Sequence, residues 1–404
     1  MSNKNAETIN NVKNKISESF GNAMNNETAK KVMNRIEEDR KRIGEAVSKN
    51  PAATVGIILG IIIVIFYFVV LYNRINRYLG RMSEYSAEDT DIKGIESNLK
   101  VMNGNFKLCD FWIASSFRSY LPCTNYYDYA SPEAIRQCIK YGARYIDLDI
   151  FNADFNTCTD PVVCFGEERG NWHYTTSFLF LDACKVIFDS AFTSFVTNPK
   201  DPLFLNLRFH TEGNTDTINK CAKIIKEIFN TKLLRKKYSY QGRFTSTNIA
   251  TTPIKRFLNK LIISCESKVE GTDMDELTNM HLDYGSNMRI MTDTEVRNTF
   301  DANELKEFNK KNLTKVLPSF KERTKDNFNF FTPYYLGCQF ICMNYTEPTP
   351  FMKAYIRKFK DCSIKLKPYK LRYRPIYIKP PLKQTKKVSF APKKKTTPYY
   401  SITY

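Results

Sequence analysis

Side chains able to do chemistry are few in this chain and widely scattered. Its 404 residues include three histidines, His173, His210 and His281, so imidazole for acid–base or metal work is scarce. His173 stands in GEERGNWHY beside Glu167 and Glu168, where a surface-loop role and an acid–base role are both open. His210 ends the apolar run PLFLNLRFH and reads as a hydrogen-bonded core residue, while His281 lies in a polar, loop-like stretch. The eleven cysteines all follow residue 108 and form no CxxC pair and no Cys/His group with zinc spacing. Cys338 and Cys342 fall in an alternating apolar run, which suits free core thiols, and an odd count without a framework points to a reducing compartment. What remains is a set of charges inside otherwise apolar segments: Arg118 in SSFRSYL, Asp147 and Asp149 in RYIDLDIF, Arg208 in PLFLNLRFH and Lys315 in LTKVLP.

These charges must be positioned by a regular frame. From Leu108 to Leu371 short apolar strands alternate with helical stretches. The strand candidates are Tyr145–Phe151, Val162–Phe165, Leu203–Phe209, Leu261–Cys265, Met288–Met291, Leu313–Leu317 and Gln339–Tyr345. Helical periodicity is seen over Pro132–Tyr141, Leu179–Ser190, Asp216–Asn230 and Glu304–Lys310. This alternation predicts an α/β fold, a parallel βα barrel whose sites lie at the carboxyl ends of its strands. An open doubly wound sheet has the same periodicity.

The flanks are of a different kind. Residues 1–50 are polar and charged, with weak helical potential over Glu27–Val47. Pro51 then introduces Ala52–Tyr72, a stretch without any charge. At about 1.5 Å per residue it spans roughly 30 Å of hydrocarbon. Residues 51–72 are therefore expected to form a transmembrane helix, with a buried core helix as the alternative. Arg40, Lys41, Arg42 and Lys49 before it nearly balance Arg74, Arg77 and Arg81 after it, so orientation is weakly specified. The cysteines and the basic tail favour a cytoplasmic C-terminal part. Gly56 and Gly60 form a GxxxG pair able to let two helices approach. Residues 73–107 read as a connector. After Lys365 acidic residues vanish, and a Lys/Pro-rich tail, residues 372–404, reads as disordered. The net charge of +19 is concentrated in that tail. It suits solvation or contact with anionic lipid or an acidic protein; nucleic acid is not expected as a partner.

Several blocks together resemble a known family. SSFRSYL, RYIDLDIF, PVVCFG, PLFLNLRFH and TPIKRFLNKLIIS, then LTKVLP, YYLGCQFICMNYTEPTPFM and CSIKLKP, are similar in order and spacing to the X and Y regions of phosphoinositide-specific phospholipase C. The X-like part covers residues 108–268 and the Y-like part 286–371. The resemblance implies a (β/α)8 barrel of the TIM type, and in active members two histidines and a calcium ion held by carboxylates and asparagine. Here the first histidine falls on Phe117 and the asparagine beside it on Arg118. Asp147 and Asp149 keep the second strand's acidic positions. The second histidine falls on Phe165, and a glutamate becomes Arg208. Two phosphate-binding lysines fall on Ser264 and Glu266, and a substrate-binding arginine and tyrosine become Lys315 and Leu317. Phenylalanine transfers no proton, and a general acid or base supplies typically ~10²–10⁴-fold. No calcium or other cofactor is therefore expected, since calcium takes about 6–8 oxygens and its ligands are largely replaced.

Two arrangements of the replaced site follow. Arg118 and Arg208 either close it as ion pairs with Asp147 and Asp149 or, with Lys315, leave an anion pocket for an inositol phosphate headgroup. The expectation is a membrane-anchored phospholipase C-like pseudoenzyme that binds or scaffolds. One alternative is an active, rewired phosphoinositide phosphodiesterase using these charges, with His173. Another rests on the tail, where Lys386-Lys387-Val388-Ser389-Phe390 resembles the KxVxF docking motif of protein phosphatase 1 partners. In that reading Lys387, Val388 and Phe390 would target the phosphatase through an extended segment.

Overall fold

The structure, a computed structural model, describes residues 51–85, 90–102, 105–122, 129–153, 160–239, 248–281, 288–319, 327–374 and 391–404, with residues 34, 35, 38 and 41. Lys387, Val388 and Phe390 lie outside the described residues. Two compact units are resolved, residues Met1–Tyr78 and Leu79–Tyr404. In chain order the elements begin with helices α1 (Pro51–Arg81) and α2 (Ile95–Met102), strand β1 (Phe111–Ser116), helix α3 (Pro132–Lys140) and β2 (Tyr145–Asn152). Four short strands follow: β3 (Pro161–Val163), β4 (Gly166–Glu167), β5 (Trp172–His173) and β6 (Phe178–Leu179). Then come α4 (Phe180–Ala191), β7 (Leu203–His210), α5 (Thr215–Phe229), β8 (Leu261–Cys265), β9 (Met280–His281) and β10 (Met288–Thr292). The series continues with α6 (Asp293–Arg297), α7 (Ala302–Asn309), β11 (Leu313–Leu317), α8 (Phe331–Tyr335), β12 (Phe340–Met343), α9 (Pro350–Phe359) and β13 (Ile364–Leu366).

Parallel strands hydrogen-bonded in the order β10-β11-β12-β1-β2-β7-β8-β9 form an eight-stranded barrel, nearly closed, with no pairing between β9 and β10 among the described residues. Side chains alternate across each strand. One set fills the lumen with Ile113, Tyr145, Phe204, Ile262, Met280, Leu313 and Phe340. The other set, including Ile146, Leu148, Leu205, Ile263 and Val316, packs outward in the cluster shared with helices α3, α4, α5 and α9. The lumen is thus a packed core at one end, and on β2 and β7 the inward polar residues begin beyond the Tyr145–Phe204 pair in register.

The structure corrects the expected role of Val162–Phe165 as a barrel strand. Pro161–Val163 runs antiparallel to β2 and pairs with β6 outside the parallel ring. A parallel partner needs a crossover of roughly a dozen residues or more, and residues 153–160 are too short for one. The barrel positions missing from the sequence reading are β1 and the two-residue β9. Residues 73–107, expected to be a connector, include α2 and place Ile92, Ile95 and Leu99 in the core. The tail is not wholly unstructured either. Lys394–Thr396 and Ser401–Thr403 form antiparallel strands β14 and β15, since Thr397 and Tyr400 close a tight turn between β-branched and aromatic residues.

Gly142 fixes how the segment before the barrel seats. It ends α3 with a φ of +94°, which glycine adopts without strain, and an added Cβ would meet Ile92 Cδ1 at 2.6 Å and Ser363 Oγ at 3.2 Å. Gly142→Ala is expected to lower stability by about 1–3 kcal/mol, from left-handed strain and overpacking together. A urea melt of the purified chain checks this, and an unchanged midpoint would contradict the close seat of Ile92.

The helix α1 contains Val55–Asn73, 19 residues of mean hydropathy 3.0, none of them buried. By length and composition this helix is able to cross a bilayer; a core helix of a soluble protein meets the same test.

Candidate functional site

Polar groups enter the lumen from three adjacent strands in one register layer. Asp147 of β2 lies opposite Asn206 of β7, which lies opposite Ser264 of β8. One step further along, Asp149 faces Arg208. Two-residue periodicity sends each pair to the same inner face. The loop after β1 brings Phe117, Arg118, Ser119 and Tyr120 over this layer, and β11 contributes Lys315.

Arg208 links both aspartates. Its Nη2 donates to Asp147 Oδ2 at 2.8 Å and to Asp149 Oδ2 at 3.1 Å, while Nε donates to Asp149 Oδ1 at 2.5 Å. Lys315, with a side chain fully excluded from solvent, donates from Nζ to Asp147 Oδ1 at 3.1 Å and also to Glu266 Oε1. Asn206 bridges the same two carboxylates through Nδ2, at 2.8 Å to Asp147 and 2.7 Å to Glu266. Tyr120 donates its hydroxyl to Asp149 Oδ2 at 2.5 Å, and His210 Nε2 donates to Asp149 Oδ1 at 2.9 Å. Arg118 donates its backbone N–H to Asp147 Oδ2 at 3.0 Å and places Nε 3.3 Å from Asp149 Oδ2. It does so at a φ of 43°, a conformation that costs a non-glycine residue about 1–2 kcal/mol.

Three carboxylates and three permanent cations therefore sit together with their charges matched. Burial alone would raise the pKa of Asp147, but Arg208 and Lys315 outweigh it and hold the group below the usual carboxylate range. Asp149 lies further below, burial again being opposed by Arg208, by the hydrogen bond from His210 and by Arg118. Burial disfavours the charged form of Lys315, yet Asp147 and Glu266 push its pKa well above the ordinary lysine value. Tyr120 is held protonated by burial and by the charge of Asp149.

Phe117 and Phe165 line the outer side of this cluster. The Arg118 guanidinium lies 4.1 Å from the Phe165 ring centre and 5.1 Å from that of Phe117, and Arg208 lies 5.6 Å from Phe117. Both phenylalanines thus stand against the cations as aromatic faces. His173, on the β4–β5 hairpin, places Nε2 3.3 Å from Asn171 Oδ1 and its ring edge-on to Phe151. The imidazole bonded to Asp149 is that of His210, which stacks on the same Phe151 at 4.8 Å.

A calcium ion does not fit these residues. Each oxygen of Asp147 and Asp149 already accepts at least two protein donors, and Arg208, Lys315 and Arg118 bring positive charge to the position of a divalent ion. Calcium needs about 6–8 oxygen ligands. Lys315 is also sealed from any ligand approaching from solvent, whereas the Arg118 side chain is 20% exposed.

The sequence singled out Asp147, Asp149, Arg118, Arg208 and Lys315, and the fold gathers all five. It did not anticipate Tyr120 and Asn206 in the cluster, nor Glu266 as the partner of Lys315. A usable signal was present for Asn206, since Asn206, Arg208 and His210 recur at two-residue spacing in a buried strand.

Comparison with known proteins gives one consistent relation. Residues 105–266 match the family model described as "Phosphatidylinositol-specific phospholipase C, X domain". The chain is 31% identical over 132 residues to the 1-phosphatidylinositol 4,5-bisphosphate phosphodiesterase gamma-2 of Homo sapiens, and 29% identical over 132 residues to that of Rattus norvegicus. Each match covers 33% of this chain and 9% of the relative, so the chain spans under a tenth of those proteins. Among solved structures, PLC21 of S. officinalis superposes with a TM-score of 0.55 and PLC21 of L. pealei with 0.54, each at 18% identity. These superpositions cover 66% of this chain and 38% of each PLC21, and establish a shared fold.

Proposed function

We propose that this chain, whose residues 105–266 match the phosphatidylinositol-specific phospholipase C X domain and whose barrel shares the fold of PLC21, is a membrane-anchored binding or scaffolding protein that has lost phosphodiester hydrolysis. The observation carrying this reading is the saturation of Asp147 and Asp149 by Arg208, Lys315, Arg118, Asn206, Tyr120 and His210. A carboxylate with every oxygen engaged in protein hydrogen bonds, and a pKa held low, is a poor general base. The positions that resemble the two catalytic histidines hold Phe117 and Phe165, which move no proton. What this chain's residues do instead is neutralise one another and rigidify the mouth of the barrel.

Recognition of an inositol phosphate headgroup, if retained in this scaffold, falls to Arg118. All three cations are paired within the cluster, but the Arg118 side chain is 20% exposed where Arg208 is 11% and Lys315 is sealed from solvent. Anchoring is assigned to Val55–Asn73, with the barrel and tail on the cytoplasmic side, where buried free thiols persist.

The test is inositol phosphate release from vesicles of phosphatidylinositol or its bisphosphate by the full chain in nanodiscs, with calcium and with chelator, beside an active family enzyme. Release at background level is expected. Calcium-dependent release abolished by Asp149→Ala would replace this reading with a rewired phosphodiesterase. Alkaline carbonate extraction of expressing membranes tests the anchor, and recovery in the supernatant would remove it.

A further inference from the structure

The end of the chain carries a small element that the barrel does not use. Strands β14 and β15 pair in the register Lys394–Thr403, Lys395–Ile402 and Thr396–Ser401, and Lys393 exchanges backbone hydrogen bonds of 2.8 and 2.9 Å with Tyr404. Thr397 and Tyr400 close the turn through a backbone bond of 2.8 Å and an Oγ1 contact of 3.2 Å. Every residue from Ala391 to Tyr404 except Thr397 is exposed, so nothing in the described chain covers the hairpin. A two-stranded hairpin without a covering layer is at best marginally stable in water.

Its two faces differ. Cross-strand pairing and two-residue alternation place Lys393, Lys395, Ile402 and Tyr404 on one face, and Lys394, Thr396, Ser401 and Thr403 on the other. The first face combines two ammonium groups with an isoleucine 48% exposed and a tyrosine 72% exposed. Tyr399, 94% exposed, projects at the turn. Residues 366–404 contain eleven lysines and arginines and no acidic residue.

We propose that this face docks on an anionic lipid bilayer. Isoleucine and tyrosine would enter the headgroup boundary while Lys393 and Lys395 remain at the phosphates. Tyrosine is enriched at that depth and lysine stems extend along apolar surface to keep their charge in water. Basic residues beside a membrane are drawn to acidic lipid within a Debye length. A bilayer accounts for the aliphatic residue beside the lysines, which binding to phosphate backbones alone does not use. The membrane helix in the same chain raises the effective concentration of that surface. The inference rests on the anchor assigned above and adds a second, charge-dependent attachment to it.

Hydrogen exchange measured on the full chain in nanodiscs tests the proposal. With phosphatidylserine present, amides of residues 393–404 should exchange roughly tenfold more slowly than in purely zwitterionic discs, as expected for a modestly populated docked state. High salt should remove the difference. The pair Lys393→Glu and Lys395→Glu should abolish it, with Lys394→Glu losing less and barrel amides unchanged in all three. Equal exchange on both lipids overturns the proposal. So does protection that appears in zwitterionic discs only when an RNA oligonucleotide is added. Carbonate extraction of the same material separates the two failures. A chain retained in the membrane with an unprotected hairpin overturns the docking alone, and a released chain overturns the anchor as well.

Discussion

Arg208→Ala is expected to destabilise the barrel by about 3–5 kcal/mol, the range for removing one partner from a buried ion pair. Arg208 is 11% exposed and satisfies three of the four oxygens of Asp147 and Asp149. Its loss would leave two aspartates, each almost wholly excluded from solvent, sharing Lys315, Arg118 and the neutral donors. The penalty comes mainly from charge left without compensation, since replacing a whole buried pair by apolar groups is often neutral. An exposed pair gives the contrast. Arg289 lies 3.1 Å from Glu304 with both side chains about a third exposed or more, and Arg289→Ala should cost under about 1 kcal/mol. Urea midpoints of the two variants decide the matter, and a similar loss in both would show the cluster to be energetically ordinary. A cycle with Asp149→Asn should return a coupling of roughly 1–3 kcal/mol between Arg208 and Asp149.

The same cluster sets the dependence on pH. Asp147 and Asp149 have folded pKa values below the ordinary aspartate value of about 3.9. The unfolded chain therefore binds more protons as pH falls through the region below about 4. Stability from these groups is complete above that value and is lost as pH drops through the folded pKa values. Lys315 has the opposite sign. Its folded pKa is raised, so its contribution is complete below about 10.4 and is lost as pH rises through the folded value. The contribution of these three groups should therefore be level between about pH 5 and 9, with a fall on the acid side. Arg208→Ala should move the acid fall to higher pH because Arg208 is the strongest opponent of burial at both aspartates. An acid limb unmoved by that substitution would place the pH sensitivity elsewhere.

How much of this was legible in the sequence depends on range. LIISC and LTKVLP read as strands because β-branched and apolar residues dominate them around a single serine and a single lysine, and α3 and α5 read as helices from their periodicity. Strand β9 has two residues and gives no periodic signal. Val162–Phe165 has the composition of a barrel strand but the wrong direction, which only the length of residues 153–160 discloses. The identity of the charged residues was readable through resemblance, position by position. Their partners were not. The pairing of Lys315 with Glu266, residues 49 apart, depends on the register that sets Asp147 beside Asn206 and Asn206 beside Ser264. Glu266 stands where the resemblance implies a phosphate-binding lysine, a change of sign relative to that expectation, and here it pairs with Lys315.

That change of sign leads to the second large effect. Placing histidines where the resemblance implies the family's catalytic imidazoles, Phe117→His with Phe165→His, is expected to yield no hydrolysis above background. Each general acid–base group is worth typically ~10²–10⁴-fold, so two placed productively would give a signal far above a vesicle assay's background. They are not sufficient here, because Arg208 would still occupy three of the four aspartate oxygens that a divalent ion needs. The cations would also remain beside the new imidazoles, since Arg118 and Arg208 lie within 6 Å of these ring positions. A nearby like charge disfavours protonation and so works against a general acid. Adding Arg118→Asn and Arg208→Glu to the double variant should introduce calcium binding, read as a rise in melting temperature with calcium over chelator. The double variant alone should show no such rise. Calcium-dependent release of inositol phosphate by the double variant would mean that the ion displaces Arg208 and Lys315 from the aspartates, and the cluster would then be a gate over a usable site. Silence in the double variant, with calcium binding only after the arginines are removed, would show that imidazoles at positions 117 and 165 do not by themselves give hydrolysis and that the ion pairs exclude the metal.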